Sequence, residues 1–172
     1  ALRHDAGLAA AKVNVFLRQL VEKSGGVATV GCIEFKPNAI NVIPSKAVFT
    51  VDLRNPDKEK LDNDEKILAA YLKDLAKEDD VKISTERLTE FDPVPFDEGI
   101  VEKVEKAAKA HGLSVRRITS GAGQDAQMIA RICPTAMIFV PSVKGISHNP
   151  EEYTKDEDVL AGAGVFLDVV MD

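Results

Sequence analysis

Cysteine, clustered positive charge and long apolar runs are all scarce in these 172 residues, and each scarcity excludes something. Only two cysteines occur, Cys32 and Cys133, far apart and with no CxxC spacing. That fits neither a zinc knuckle nor a disulfide framework, so reduced thiols in a cytoplasmic protein are the expectation. Lys and Arg number 22 against 28 Asp and Glu, a formal net charge of −6. Nucleic-acid binding needs the opposite, basic groups gathered to neutralise phosphates. Apolar runs such as Ala136-Met137-Ile138-Phe139-Val140 are far too short to span a bilayer. No repeat, low-complexity tract, leader segment or initiator Met is visible, and Ala1 runs straight into a helical pattern, as if the chain began mid-protein.

Hydrophobic residues make up 45% of the chain and charged residues 29%, an ordinary profile for a globular protein of one or two domains. Leu8, Val13, Phe16, Leu17, Leu20 and Val21 recur at helical spacing to about Lys23, where Gly25-Gly26 stop the helix. Val27 to Phe35 reads as a strand, and Lys46 to Leu53 as a second. In the second, Val48, Thr50 and Asp52 lie on one face and Phe49, Val51 and Leu53 on the other. After Asn55-Pro56 a charged helix from Asp57 to Lys77 buries Leu61, Ile67, Leu68, Tyr71, Leu72 and Leu75, and Val81 to Leu88 is a third strand. The order α-β-β-α-β is that of a split βαβ unit without its first strand. The proline-rich stretch Asp92 to Asp97 marks a boundary. Beyond it come a helix (Glu98 to His111), a strand (Ser114 to Ile118) and a short helix ending near Arg131. A buried strand (Ala136 to Val140), a loop to Thr154 and a last helix from Lys155 complete an α/β alternation.

Four segments carry chemistry. His148 sits in a Gly/Ser/Pro loop just past a buried strand, where α/β sheets build their sites. Neutral imidazole is a common metal ligand; on position alone the residue reads first as a solvated side chain, a balance shifted by its setting among Ser147, Pro150 and Glu152. Gly121-Ala122-Gly123-Gln124-Asp125-Ala126 matches G-x-G-x-x-A, but a dinucleotide site wants an acidic residue about 20 positions on. Val140-Pro141-Ser142-Val143 stands there instead, so the fingerprint fails and a tight turn with Ser120 or Asp125 capping the short helix remains. Arg54, at a strand end, offers a planar fork for a carboxylate; an ion pair with Asp52 or Asp57 is an equal reading. Asn41 by itself is a turn residue.

Taken in order, Asn38 to Pro44, Asp52-Leu53-Arg54, Ser120 to Ala126, Met137 to Ser142 and Gly145 to Thr154 resemble one family over essentially the whole chain. It comprises N-carbamoyl-L-amino-acid hydrolase, allantoate amidohydrolase and β-ureidopropionase, within the dinuclear-metal aminoacylase and carboxypeptidase superfamily. The resemblance implies an α/β chain of two parts. Residues 1–91 would be a ferredoxin-like lid and dimerisation domain lacking its first strand, and residues 92–172 the C-terminal portion of a metallopeptidase-like catalytic domain. It also implies two divalent ions, zinc or manganese, in the whole protein, with His148 matching the last metal ligand and the others lying upstream. The catalytic Glu and an oxyanion-stabilising His of an Asn-His-Ala-Gly segment also lie upstream in the family, so no catalytic residue is expected in this chain. Arg54 and Asn41 match residues that grip a substrate carboxylate, Gly145 falls where a backbone N–H approaches it, and Gln124 stands where many relatives have His. Gln can hold a substrate by hydrogen bonds but cannot carry charge or shuttle a proton.

The activity so implied is metal-assisted cleavage of a ureido C–N bond to an amino acid, carbon dioxide and ammonia, by a homodimer acting on a small carboxylate-bearing molecule, with no nucleic acid or membrane partner. A related peptidase or aminoacylase, and a non-catalytic dimerisation module, are the alternatives. This chain, lacking most of the site, would be inactive alone.

Overall fold

The computed structural model describes residues 3–172. By internal contacts the chain divides into two compact units, 1–93 and 94–172.

In the first unit, helix α1 spans Ala6–Ser24. Asp5 caps its start by accepting from the Leu8 N–H, and Gly25 ends it at φ +80, a left-handed turn that glycine enters at no steric cost. The chain then pairs with itself in an antiparallel ladder. Strand β1 (Val27–Thr29) pairs with β4 (Asp52–Arg54), and β2 (Ile33–Lys36) with β3 (Lys46–Phe49). The expected single strands from Val27 and from Lys46 are thus each broken in two. Between the pairs Val30-Gly31-Cys32 oppose only Thr50-Val51, so the first strand carries one extra residue, a bulge that shifts the register. The Thr50 N–H still reaches the Cys32 carbonyl, at 3.2 Å.

Helix α2 (Lys58–Glu78) begins at Asp57, whose carboxylate accepts from the Glu59 and Lys60 N–H groups. Its inner face differs in two places from the sequence reading, at Asp64 and Ile67. Leu61, Asp64 and Leu75 are buried and Leu68 half-buried, whereas Ile67 is 39% exposed. Positions 61, 64, 68 and 75 follow the helical repeat, and Ile67 is rotated off that stripe. Ala9, Val13 and Leu17 of α1 meet Leu75 in the core, with Ala28, Val30, Phe49, Leu68 and Leu72 around them. Lys12 pins the helix ends together, 2.6 Å from Asp79 and 3.2 Å from Glu78.

The third expected strand, 81–88, is not one. Val81 and Ile83 pack on the core, but Leu88 is 75% exposed, and the segment has no ladder partner among the described residues. A strand exists only where a neighbour accepts its hydrogen bonds. Its far end is held instead by ion pairs, Arg87 with Glu65 and Glu90, and Lys58 with Glu90 and Asp92.

In the second unit, α3 (Glu98–Ala110) starts at Asp97, which accepts from the Ile100 N–H, and packs on α5 (Asp156–Met171). A single turn, α4 (Asp125–Ile129), lies between them in sequence. The segments 114–118 and 136–140, expected as strands, run without ladder partners among the described residues. Ala136, Met137 and Ile138 are half-buried, while Phe139 and Val140 are 50% and 38% exposed, so the second is not the fully buried strand its composition suggests. The residues keep a strand's apolar character without the neighbours that would make it one. Between α3, α5 and this segment lies an apolar cavity of about 410 Å³, lined by Ile100, Val104, Ile138, Val140 and Phe166 among others. Across the two units the fold is α/β, helices with small antiparallel sheets. No helix among the described residues is long and apolar enough to cross a membrane.

Candidate functional site

Arg54 closes β4, opposite Val27, and Asp52 lies two residues before it, opposite Thr29. Alternation places Asp52, Arg54, Val27 and Thr29 on one face of the ladder, while Leu53 and Ala28, between them, are half-buried on the other. That open face presents a guanidinium already engaged. Its Nε donates to Asp52 Oδ1 at 2.7 Å and its Nη2 to Asp52 Oδ2 at 2.6 Å, a side-on fork between groups 48% and 50% exposed. Of the two acids weighed as ion-pair partners, Asp52 makes this fork; Asp57 caps α2 instead. The guanidinium holds the Asp52 carboxyl below its ordinary value, partial burial opposing it, and the carboxylate in turn raises Arg54.

Behind the fork the backbone is tightly fixed. A Cβ added to Gly26 would lie 2.7 Å from the Arg54 carbonyl oxygen, so only glycine admits that approach. The neighbouring Asn55, 6% exposed, accepts the Asp57 N–H through Oδ1 at 3.1 Å. Its burial was not read from the sequence, where Asn55-Pro56 registered only as a helix start. Asn41 is exposed in the turn joining β2 to β3, so it and Arg54 lie toward opposite ends of the ladder with the bulge between them.

In the second unit the loop after residue 140 is closed by the Val143 N–H on the Tyr153 carbonyl, 2.8 Å. Within it Lys144, Gly145 and His148 take φ of +59, +69 and +54, the left-handed region that costs a side chain strain. The strain at His148 is met by a specific partner: its backbone N–H donates to Glu152 Oε2 at 2.8 Å, leaving the exposed imidazole outside that bond. The spacing His148-x-x-x-Glu152 was the available signal for this contact. The Gly145 N–H donates to the Ser142 carbonyl at 3.0 Å, so that N–H is satisfied within its own turn. Gln124 is the residue before α4, exposed and making no capping side-chain bond; neither Ser120 nor Asp125 caps that turn, and the Ser120 hydroxyl donates instead to the Ala122 carbonyl.

Among the described residues no three His, Cys, Asp or Glu side chains gather closely enough to hold a metal ion. Protein zinc sites use three or four ligands. His148 therefore suits one place in a metal shell, and the residues present do not form the shell.

These features can be set beside known proteins. The model of peptidase family M20/M25/M40 matches residues 5–172. The N-carbamoyl-L-amino-acid amidohydrolase of Rhizobium meliloti is 40% identical over 173 residues, covering 99% of this chain and 42% of the relative. The ureidoglycolate hydrolase of Arabidopsis thaliana is 38% identical over 167 residues, covering 95% of this chain and 35% of the relative. The crystal structure of a hydantoinase/carbamoylase-family amidase from Burkholderia vietnamiensis superposes with a TM-score of 0.93 at 37% identity, covering 98% of this chain and 41% of that one. This chain thus spans about two fifths of the length of such relatives. Matched from residue 5 to its last residue, the chain belongs to peptidase family M20/M25/M40, and its likeness within that family is to the carbamoyl and ureido amidohydrolases.

Proposed function

We propose that this chain is the carboxylate-gripping and metal-completing part of an amidohydrolase that cleaves a ureido C–N bond, of the N-carbamoyl-L-amino-acid type. The products are an amino acid, carbon dioxide and ammonia. The observation that supports this most is the Arg54 guanidinium, presented on an open sheet face and forked side-on to a carboxylate. That is the geometry by which arginine recognises carboxylates through two parallel N–H bonds. In this reading Arg54 orients the substrate through its carboxylate, and Asn41, Gln124 and Gly145 are further substrate-binding residues of the whole protein. Holding a substrate in reacting geometry can by itself lower a barrier by several kcal/mol. His148 contributes one donor to a site for two divalent ions, zinc or manganese, which when bound would lower the pKa of water and polarise the scissile carbonyl. The first unit serves as lid and as the contact surface of a homodimer.

The test is Arg54→Lys in the full-length protein. Lysine keeps the charge but cannot rebuild the fork, and a lost charge-assisted hydrogen bond costs about 1.5–3 kcal/mol. The expected outcome is a drop in kcat/KM of roughly ten- to a hundred-fold on an N-carbamoyl amino acid, with unchanged metal content. On the corresponding carboxamide, a poor substrate for the wild type, the variant should be hardly worse. Equal losses on acid and amide would make Arg54 a structural residue and end the clamp assignment.

A further inference from the structure

We infer that Asp52 occupies the Arg54 fork as an internal stand-in for the substrate's carboxylate, so that substrate binding is an exchange of one carboxylate for another and Asp52 sets the affinity. The inference rests on the reading of Arg54 as the carboxylate clamp.

Three features of the pair carry it. First, Asp52 engages Arg54 through both of its oxygens, on the Nε and Nη2 edge, in the same two-point mode a ligand carboxylate takes. Second, both groups are about half exposed, on the ladder face away from the core. An ion pair in such a position is cheap to break, because water and salt already screen it. Third, the charges do not admit both acids at once without cost. Asp52 is held ionised by Arg54, so a second carboxylate beside one guanidinium leaves the cluster with a net negative charge. Displacing Asp52 into water, which its exposure allows, restores one cation to one anion.

The consequence is a cost carried by carboxylate ligands alone. A ligand with a carboxylate displaces Asp52 and replaces the lost bonds with equivalent ones. A neutral ligand cannot replace them and binds without the fork, leaving the Asp52 pair in place.

The experiment is Asp52→Asn in the full-length protein, with Asp52→Thr as a second replacement suited to a strand. Both remove the competing charge. An exposed pair is worth about 0.2–1 kcal/mol, so KM for an N-carbamoyl amino acid should fall by roughly 1.4- to fivefold, the change lying in KM rather than kcat. KM for the carboxamide should not fall in parallel. If KM for the acid is unchanged or rises in both folded variants, Asp52 is instead a prop that orients Arg54 while another edge of the guanidinium binds substrate, and the exchange is overturned. Arg54→Lys separates the two levels. If it impairs the acid selectively while the Asp52 variants fail to tighten it, only the exchange falls; if it spares the acid, the clamp itself falls.

Discussion

His148 and Arg54 differ in which of their groups the neighbours engage. Arg54 gives its Nε and Nη2 N–H groups to Asp52. At His148 it is the backbone that is spent, its N–H tied to Glu152 at φ +54, so that the strained main chain aims the side chain outward. A backbone held in the left-handed region costs of the order of 1 kcal/mol for a non-glycine residue, and it persists where surrounding bonds over-determine it. For a metal ligand that fixation reduces the freedom lost on binding. His148→Ala in the full-length protein should therefore lower bound zinc or manganese and activity together, measured as metal content after dialysis and as turnover. Full metal occupancy with wild-type turnover would leave His148 an ordinary solvated loop residue. The sequence could point to both residues, Arg54 at an expected strand end and His148 in the loop past another expected strand. It left two acids open as the Arg54 partner, Asp52 and Asp57, and could not say that Glu152 takes the His148 backbone N–H.

At the scale of elements, the helices were readable, but of the expected strands only the two that pair with each other formed, for one physical reason. A helix satisfies its own backbone bonds, so periodicity and caps suffice: α1 begins at an Asp5 cap and ends at Gly25, and α2 begins at Asp57. A strand depends on a neighbour remote in sequence. The segments 81–88, 114–118 and 136–140 have strand composition and no ladder partner among the described residues. The bulge at Val30-Gly31-Cys32 was equally invisible, being a mismatch between two segments rather than a property of either. Packing distinguishes even two glycines two residues apart. A Cβ added to Gly162 in α5 would sit 2.5 Å from Val140 Cγ1, whereas one at Gly164 meets only the His111 ring, at 3.5 Å. Gly162→Ala should destabilise the second unit by about 1–3 kcal/mol through overpacking. Gly164→Ala should stabilise it by up to about 1 kcal/mol, since alanine is the better helix former. Urea unfolding of the two variants checks the opposite signs; stabilisation by Gly162→Ala would mean that the 136–140 segment yields to α5 at little cost.

For the whole molecule, the question is how much chemistry 172 residues can perform unaided. Hydrolysis of a ureido bond at neutral pH requires an activated water, and in the proposed reaction that activation comes from divalent ions. An ion retained tightly enough to act needs several protein donors, typically three with a fourth position open. Among the described residues no such group of His, Cys, Asp or Glu exists, and His148 stands as one donor in a loop. Binding and catalysis should therefore separate in this chain. Arg54 and the open face of the ladder belong to the first unit's own fold, whereas water activation has no such support. The purified chain, supplied with zinc or manganese, should show no hydrolysis of N-carbamoyl amino acids above the uncatalysed background, followed by ammonia release over hours. It should at the same time retain a cooperative fold in the first unit, whose core of Ala9, Val13, Leu17 and Leu75 lies entirely within residues 1–93. Circular dichroism through a thermal transition would establish that fold in the same sample, so that missing turnover is not mistaken for an unfolded chain. Metal-dependent turnover by the folded chain would mean that donors apart in this structure assemble around the ion. The assignment of His148 to a shell completed from elsewhere would then be wrong.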